Sequence, residues 1–354
     1  MPHRINKFFF LLLAFIPISW FFALFTTDLT LTFITSIIAL IPLARLIGYA
    51  TKEIALQVNP AFSGLVNATF GNAIELIIAF FALSNGLITL VQASIVGSII
   101  GNILLLIGLS VFVGGTKFKE QKFNKTSVGV SSTMLIIAIT GLAIPTAFAL
   151  TSTPSELQVQ ELSEIVAIVL ATTYIAGLVF SFITHKDLFD ASDEIKATKE
   201  KSTLSIKNAA IILLFTTIVV AFESDFLVRG VEAAAANMGL TQMFIGVVLI
   251  AIVTNIAEKA TSIYFSLQNK IDISIEIGLS SAIQIALFVV PILVIISHFL
   301  NFKFSLIFSV FEVIGMFLAV MIINHLSADG KCNWLEGIQL IAVYLIIITA
   351  FYFL

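Results

Sequence analysis

Long apolar runs separated by short polar breaks fill this chain of 354 residues. A run of about 20 apolar residues is long enough to cross the hydrocarbon core of a bilayer as a helix. Dividing the chain at the polar breaks predicts eleven helices. An amphipathic extension over 225–240, which ends at Gly239, is predicted between the seventh and eighth. The predicted helices cover 8–26, 30–50, 62–84, 89–114, 127–149, 161–184, 205–224, 241–268, 272–298, 304–323 and 334–353.

Composition agrees with this pattern. The chain is 59% hydrophobic and 11% charged, and its mean hydropathy is +1.10. Soluble domains contain about 25% charged residues, so a water-soluble globule is excluded. The predicted fold class is an all-α polytopic membrane protein with about 11 transmembrane helices. The net charge of −3 offers no basic surface for nucleic acid, and the single cysteine, Cys332, excludes an internal disulfide.

The longest polar stretch, 185–201, divides the chain near its middle. We therefore predict an N-terminal transmembrane helix at 1–29, a first five-helix repeat at 30–184, a cytoplasmic linker at 185–204 and a second five-helix repeat at 205–354. The linker is predicted to be a solvated connection or, because its acids are interleaved with lysines, a regulatory cation-binding segment.

Basic residues predict the orientation, because Lys and Arg are enriched in short cytoplasmic loops. A cytoplasmic N-terminus places 15 of the 18 basic residues on the cytoplasmic side. The exceptions are Arg229, Lys259 and Lys303. The C-terminus is then predicted to lie outside. With short loops and no organelle address, we expect the plasma (inner) membrane of a prokaryote.

Two motifs carry the candidate chemistry. Gly71-Asn72-Ala73-Ile74-Glu75 and Thr254-Asn255-Ile256-Ala257-Glu258 lie 183 residues apart, and each places an Asn three residues before a Glu in an apolar run. A carboxylate in a membrane helix costs at least about 2.5 kcal/mol, so such acids tend to mark ion pathways. At the same offset Gly97-Ser98 corresponds to Ser280-Ser281.

The offset indicates a repeat. Each predicted half contains five helices, an odd number, so the two halves enter the membrane from opposite sides. Inverted repeats of this kind place a shared site at their interface near the bilayer midplane.

The side chains predicted to surround that site offer only oxygen. Residues three or four apart on a helix share a face, so each motif directs one amide and one carboxylate to the same side. Hard cations such as Ca²⁺ take six to eight oxygen ligands, whereas zinc prefers Cys and His. The candidate ligands are Glu75, Glu258, Asn72, Asn255, Ser98, Ser281, Gln284 and Asn102, with backbone near Gly71 and Thr254.

Charge balance suggests exchange. Two carboxylates and one divalent cation are neutral together, but the empty site would carry two negative charges in a low dielectric, which is costly. Protonation of Glu75 and Glu258 restores neutrality. The predicted site therefore holds either a divalent cation or protons, as an antiporter requires, and no resident cofactor is predicted.

At these residues the chain resembles the calcium/cation antiporter superfamily, and within it the cation/proton exchanger family. The resemblance includes 67–77, 97–105, 269–291 and 329–337, and it extends over 30–354. It implies two inverted five-helix repeats plus an extra first helix, exchange of cytosolic Ca²⁺ for protons across the lipid bilayer, and a sliding pair formed by the second and seventh helices. Glu75 and Glu258 would be the central ligands. A homo-oligomer is a further possibility.

The second motif departs from the pattern of that family, which has Gly where Thr254 stands and His where Lys259 stands. A fixed cation beside Glu258 leaves alternatives open. These are an exchanger driven by Na⁺ or selective for Mn²⁺, and a cation channel or inactive homologue in which Lys259 neutralises the site. Glu53 and Glu232, at comparable places before the two motifs, are candidates for an entrance role or for solvated helix ends. Glu223 and Glu312 stand near predicted helix ends or in less specific contexts.

Overall fold

The computed structural model describes residues 7–58, 60–185, 202–300, 302 and 304–354. Residues 186–201, which include most of the predicted linker, lie outside the described residues. The helices before that segment are α1 (Lys7–Leu13), α2 (Phe15–Phe25), α3 (Leu29–Ala55), α4 (Pro60–Phe70), α5 (Ala73–Ser84), α6 (Ile88–Lys117), α7 (Lys125–Ser152) and α8 (Glu156–Thr184).

The helices after that segment are α9 (Ile206–Met238), α10 (Gln242–Thr254), α11 (Ile256–Ser266), α12 (Ile271–Leu300), α13 (Val310–Leu326) and α14 (Trp334–Phe353). Two short strands, β1 (Gln121–Lys122) and β2 (Lys331–Cys332), form an antiparallel pair in which Gln121 lies opposite Cys332.

The described helices are long and apolar enough for a multi-pass membrane protein. Seven of them satisfy length and hydropathy requirements for crossing a bilayer, and α10 with α11 makes an eighth if the pair is one span. Each of the eleven predicted segments is helical over most of its length within the described residues. The prediction of an all-α polytopic membrane protein is confirmed.

Four details of the predicted helices are wrong. The segment 62–84 is interrupted between Phe70 and Ala73, and 241–268 is interrupted at Asn255. The segment 225–240 is not a separate extension, because α9 continues without interruption until Gly239, whose φ of 64° ends it in the left-handed conformation.

The fourth is the start of the tenth predicted helix, which begins at Val310 instead of 304. A capping box causes this: Ser309 Oγ accepts from the Glu312 amide, while the Glu312 carboxylate accepts from the Ser309 amide at 2.8 Å. Reciprocal bonds of this kind satisfy the first amides of a helix and so fix its start.

The chain forms two compact units, and each draws on both predicted repeats. The first unit comprises Met1–Ser94 and Lys201–Ala257 with Leu354, and its core is the packing of α3 along α9. Gly230 of α9 permits this approach, since a Cβ there would lie 2.5 Å from the carbonyl oxygen of Leu29.

The second unit comprises Ile95–Glu200 and Glu258–Phe353. In it α6 packs against α12 and α14, and α7 packs against α8, α12 and α13. The contact between α6 and α14 requires glycine, because a Cβ on Gly337 would collide with the backbone of Phe112.

Candidate functional site

The first motif lies at the break between α4 and α5. Asn72 immediately precedes α5 with φ −112° and ψ 29°, is 1% exposed and makes no side-chain capping bond. Glu75 stands half-buried in the first turn of α5, and Gly71 is exposed. The positive end of the α5 dipole lies in this first turn, where it stabilises negative charge.

The second motif repeats this arrangement at the break between α10 and α11. Thr254 is the last residue of α10, Asn255 interrupts the helix with φ −96° and ψ 14°, and Glu258 stands half-buried in the first turn of α11. The Asn255 amide nitrogen donates to Ala251 O at 3.1 Å and to Thr254 Oγ1 at 3.0 Å. These bonds orient the amide and fix the side on which Oδ1, the atom that a cation would contact, projects.

The helix that carries Glu258 is held in the second unit by serines. Ser262 Oγ lies 2.7 Å from Ser110 Oγ of α6 and 3.1 Å from Ser274 O of α12, while Ser274 Oγ donates to Ser262 O at 2.7 Å. All three serines are completely buried. Glu258 therefore projects from a helix whose position against α6 and α12 is fixed by hydrogen bonds one turn away.

The small and polar residues of α6 and α12 form a buried contact within the second unit. Asn102 Nδ2 donates to Ser281 Oγ at 2.8 Å, and both residues are at most 2% exposed. Ser98 and Gln284 are also buried, at 3% and 9%. The structure thus brings Asn102 and Ser281 together, and one bond of each joins helix to helix.

Irregular helical turns occur at matching places in α6 and α12. Residues Gly101–Leu106 and Ile285–Val289 are π-helical. Moved by the repeat offset of 183 residues, the first stretch becomes 284–289. π-Helical turns are rare and are frequent at functional sites. The first begins three residues after Ser98, and the second begins directly after Gln284.

The predicted site residues fall into two groups. The first unit contains both motif asparagines and the first motif glutamate: Gly71, Asn72, Glu75, Thr254 and Asn255. The second unit contains the second motif glutamate and the residues of α6 and α12: Ser98, Asn102, Glu258, Ser281 and Gln284.

Lys259, which follows the second motif glutamate, is 6% exposed. Consecutive residues on a helix project about 100° apart, so Lys259 and Glu258 leave α11 on different faces.

The two acids considered for an entrance role have different surroundings. The Glu53 carboxylate accepts bonds from the Thr203 amide at 2.7 Å, the Thr203 hydroxyl at 2.9 Å and the Leu204 amide at 2.9 Å. Glu232 is exposed, and its carboxylate accepts from the Gln242 side chain at 3.2 Å. Glu53 therefore fixes the chain just before α9, whereas Glu232 bonds to the start of α10.

Glu223 is a polar residue whose surroundings the sequence did not reveal. It lies in the interior of α9, is completely buried, and bonds to Ser19 and Trp20 of α2. The predicted helix end at 224 placed Glu223 near a terminus, so the sequence did not indicate that α9 continues past it.

Comparisons with known proteins agree with the duplicated architecture. Residues 28–183 and 208–353 each match the family described as sodium/calcium exchanger protein. The Ca²⁺/H⁺ antiporter of Synechocystis is 40% identical over 365 residues, with 98% of each chain aligned. The Ca²⁺/H⁺ antiporter ChaA of Bacillus subtilis is 39% identical over 353 residues, which cover 99% of this chain and 100% of that one.

A solved structure is similar over the whole chain. Native YfkE has a TM-score of 0.85 and 38% identity, with 98% of this chain and 100% of that chain covered. The resemblance to calcium/cation antiporters is confirmed, and the chain belongs to the sodium/calcium exchanger protein family.

Proposed function

We propose that this protein is a secondary active transporter that exchanges cytosolic Ca²⁺ for protons. The main support is the relation to two bacterial Ca²⁺/H⁺ antiporters, at 39–40% identity over nearly the full length of both partners. The twofold occurrence of a helix break with a glutamate in the following first turn supports it independently.

In this proposal Glu75 and Glu258 bind one Ca²⁺ between them. Oxygen atoms of Asn72 and Asn255 and the backbone near the two breaks complete the coordination, with contributions from α6 and α12. Ca²⁺ accepts six to eight oxygens in irregular geometry, and a helix break exposes carbonyl oxygens that a continuous helix would use internally. Helix breaks are therefore a suitable source of the remaining ligands.

Protons replace Ca²⁺ in the same carboxyl groups. With Ca²⁺ bound the site is neutral, and with two protons bound it is neutral again, whereas the unoccupied dianion is disfavoured in a low dielectric. A site that changes sides only when neutral couples the movement of Ca²⁺ in one direction to the movement of protons in the other. This coupling is alternating access with exchange.

One alternative has an observation in its favour. Because Lys259 is buried beside the second motif, its ammonium group is a candidate for a permanent counter-ion, and the chain would then be a channel or an inactive homologue. An exchanger driven by Na⁺ or selective for Mn²⁺ would use the same oxygen ligands. The gradient that drives transport distinguishes the proposal from these alternatives.

Uptake of ⁴⁵Ca²⁺ into proteoliposomes tests the proposal. With an acidic lumen, the wild type is expected to accumulate Ca²⁺ as protons leave, and a protonophore is expected to abolish accumulation. Accumulation driven equally well by a Na⁺ gradient would favour the alternative exchanger. Electrical conductance without proton counter-movement would favour the channel.

Variants locate the activity in the proposed site. Glu75→Gln is expected to abolish the proton-driven uptake at Ca²⁺ concentrations that just saturate the wild type, since one carboxylate cannot neutralise Ca²⁺. Glu161→Gln, which alters an exposed acid of α8, serves as the matched control and should transport like the wild type. Undiminished uptake by Glu75→Gln would refute the assignment.

A further inference from the structure

A second buried acid lies in the first unit, in the packing of α9 against α2 and α3. Glu223 stands near the middle of α9 and is completely buried. Residue 40, its equivalent at the repeat offset of 183, is Leu40. The acid is therefore no part of the duplicated motif. Its bonded partners, Ser19 and Trp20, lie on α2, which belongs to the extra N-terminal segment.

Counting hydrogen atoms at this cluster indicates the protonation state of the acid. Ser19 Oγ lies 2.7 Å from Glu223 Oε1 and 2.8 Å from Ile16 O, so two oxygen acceptors approach one hydroxyl group. A serine hydroxyl has a single hydrogen to donate. If Glu223 were a carboxylate, one of these two short contacts would have no hydrogen. A proton on Oε1 supplies it: the acid donates to Ser19 Oγ, and Ser19 donates to Ile16 O.

The remaining atoms of the cluster agree with a neutral acid. Trp20 Nε1 donates to the same Oε1 at 3.1 Å, a bond that Oε1 can accept through a lone pair whether or not it carries the proton. On the other side, the Ser36 hydroxyl of α3 interacts with the carboxyl group, and both Ser36 Oγ and Glu223 Oε2 are buried. A hydroxyl group carries no charge, so an ionised Oε2 in that position would hold negative charge that no cation among the described residues neutralises, at a cost of several kcal/mol.

Charged groups of the surrounding helices do not neutralise Glu223. α2 contains no ionisable side chain. On α9 the described ion pair is between Arg229 and Asp225, at 2.6 Å. On α3 the Arg45 guanidinium lies over the Phe9 ring, and the Glu53 carboxylate bonds to Thr203 and Leu204. The other ionisable groups on α3, α5 and α9 are Tyr49 and Lys52 of α3, Glu75 of α5, and Lys207 and Glu232 of α9. Among the residues described, none of these forms an ion pair with Glu223.

We infer that Glu223 is a proton-binding site separate from the two motif glutamates, and that it keeps its proton on Oε1 in a bond to Ser19. This site binds a resident proton, whereas the proposed exchange site binds transported ones. The inference does not rest on the proposed function. It identifies a carboxyl group that contributes to the total bound protons of the protein but not to the protons exchanged for Ca²⁺.

Infrared spectroscopy of the purified protein in lipid tests this inference, because a protonated carboxyl group has a C=O stretching band that a carboxylate lacks. At neutral pH the wild type minus Glu223→Gln spectrum is expected to contain one such band. Glu232→Gln, an exposed acid on the same helix, is the control and should leave the band in place. Addition of saturating Ca²⁺ should also leave it in place.

Ser19→Ala gives a second, independent measurement in a protein that retains Glu223. Removing the acceptor of the acid proton weakens its hydrogen bond, so the C=O band should move to a higher frequency. If Glu223→Gln does not fold, this shift alone tests the inference. Absence of the band in the wild type would show that Glu223 is ionised, and its disappearance with Ca²⁺ would show that the proton is exchanged; either result overturns the inference.

Discussion

The two helix breaks carry the same pair of residues on different supports. At the first break Gly71 and Asn72 separate α4 from α5, and Gly71 is exposed. At the second break Asn255 alone separates α10 from α11, Thr254 is 7% exposed, and the Thr254 hydroxyl accepts from Asn255. One break exposes backbone without a side chain, and the other adds a hydroxyl that orients its asparagine.

This difference shows that duplication preserved the carboxylate positions more strictly than the groups around them. Glu75 and Glu258 both occupy the third position of a helix, so the chain direction and the helix dipole act on each in the same way. The residue after the glutamate is Leu76 in the first half and a buried Lys259 in the second. Variants at these positions measure how far the two halves are equivalent.

The largest effects are expected from the two glutamates. Removing one charge from a buried charge pair typically costs about 3–5 kcal/mol. At about 1.4 kcal/mol per tenfold, Ca²⁺ affinity should fall by more than about 100-fold in either Glu75→Gln or Glu258→Gln.

Half-saturation of ⁴⁵Ca²⁺ uptake in proteoliposomes measures both variants, with Glu161→Gln as the common control. Equal losses are expected if the two halves contribute equally. A severe loss in Glu75→Gln together with normal uptake in Glu258→Gln would show that only the first half binds Ca²⁺.

Cysteine labelling should distinguish the surroundings of the two breaks. Gly71→Cys is expected to react with a small maleimide several times faster than Thr254→Cys, because residue 71 is exposed and residue 254 is buried. The native Cys332 should contribute little background. It is buried, and desolvation, followed by the nearby Glu336 carboxylate, raises its pKa to about 12, so thiolate is scarce at neutral pH. Equal labelling rates would contradict the different exposure of residues 71 and 254.

A moderate effect is expected from Thr254→Val, which removes the hydroxyl while preserving shape. Asn255 then loses the amide bond to Thr254, worth about 0.5–1.5 kcal/mol, so apparent Ca²⁺ affinity should fall roughly 2- to 10-fold. Thr172→Val removes an exposed hydroxyl that bonds to Ile168 O on α8 and is the matched control. An affinity equal to that of the control would show that Asn255 needs no orientation by Thr254.

The smallest effect is expected at Lys259. Lys259→Leu gives the second half the residue of the first, and Lys259→His gives it the residue typical of the resembled family. Since consecutive residues of a helix face different directions, both variants should transport Ca²⁺ like the wild type. A marked gain of transport in both would instead identify Lys259 as a counter-ion of Glu258.

The sequence predicted the membrane fold and the repeat because both depend on local features. Apolar runs of about 20 residues need no tertiary information to be recognised as spans, and the shared Asn and Glu are visible at one offset. Gly71 was a local signal for an interruption within 62–84, whereas the break within 241–268 was not predicted, because the residues on both sides of it are apolar and helix-compatible. Pattern alone cannot distinguish a continuous apolar helix from an interrupted one.

Local signals also explain which details were missed at helix ends. The capping box of Ser309 and Glu312 was present in the sequence, yet the apolar run before it extended the predicted helix back to 304.

The bond from Asn102 to Ser281 could not be anticipated, because it joins residues 179 positions apart. Such pairs depend on how helices pack and not on the periodicity of either one.

The sequence by itself determined that this is a polytopic helical membrane protein of the exchanger family with a glutamate in each half, because hydrophobic length and a repeated motif are properties of the chain. Only the tertiary structure decided that both motif asparagines stand at helix breaks, that Ser262 anchors the helix of Glu258, and that Glu223 meets Ser19 and Trp20. These features depend on which distant side chains share a buried space, where most polar groups are hydrogen-bonded.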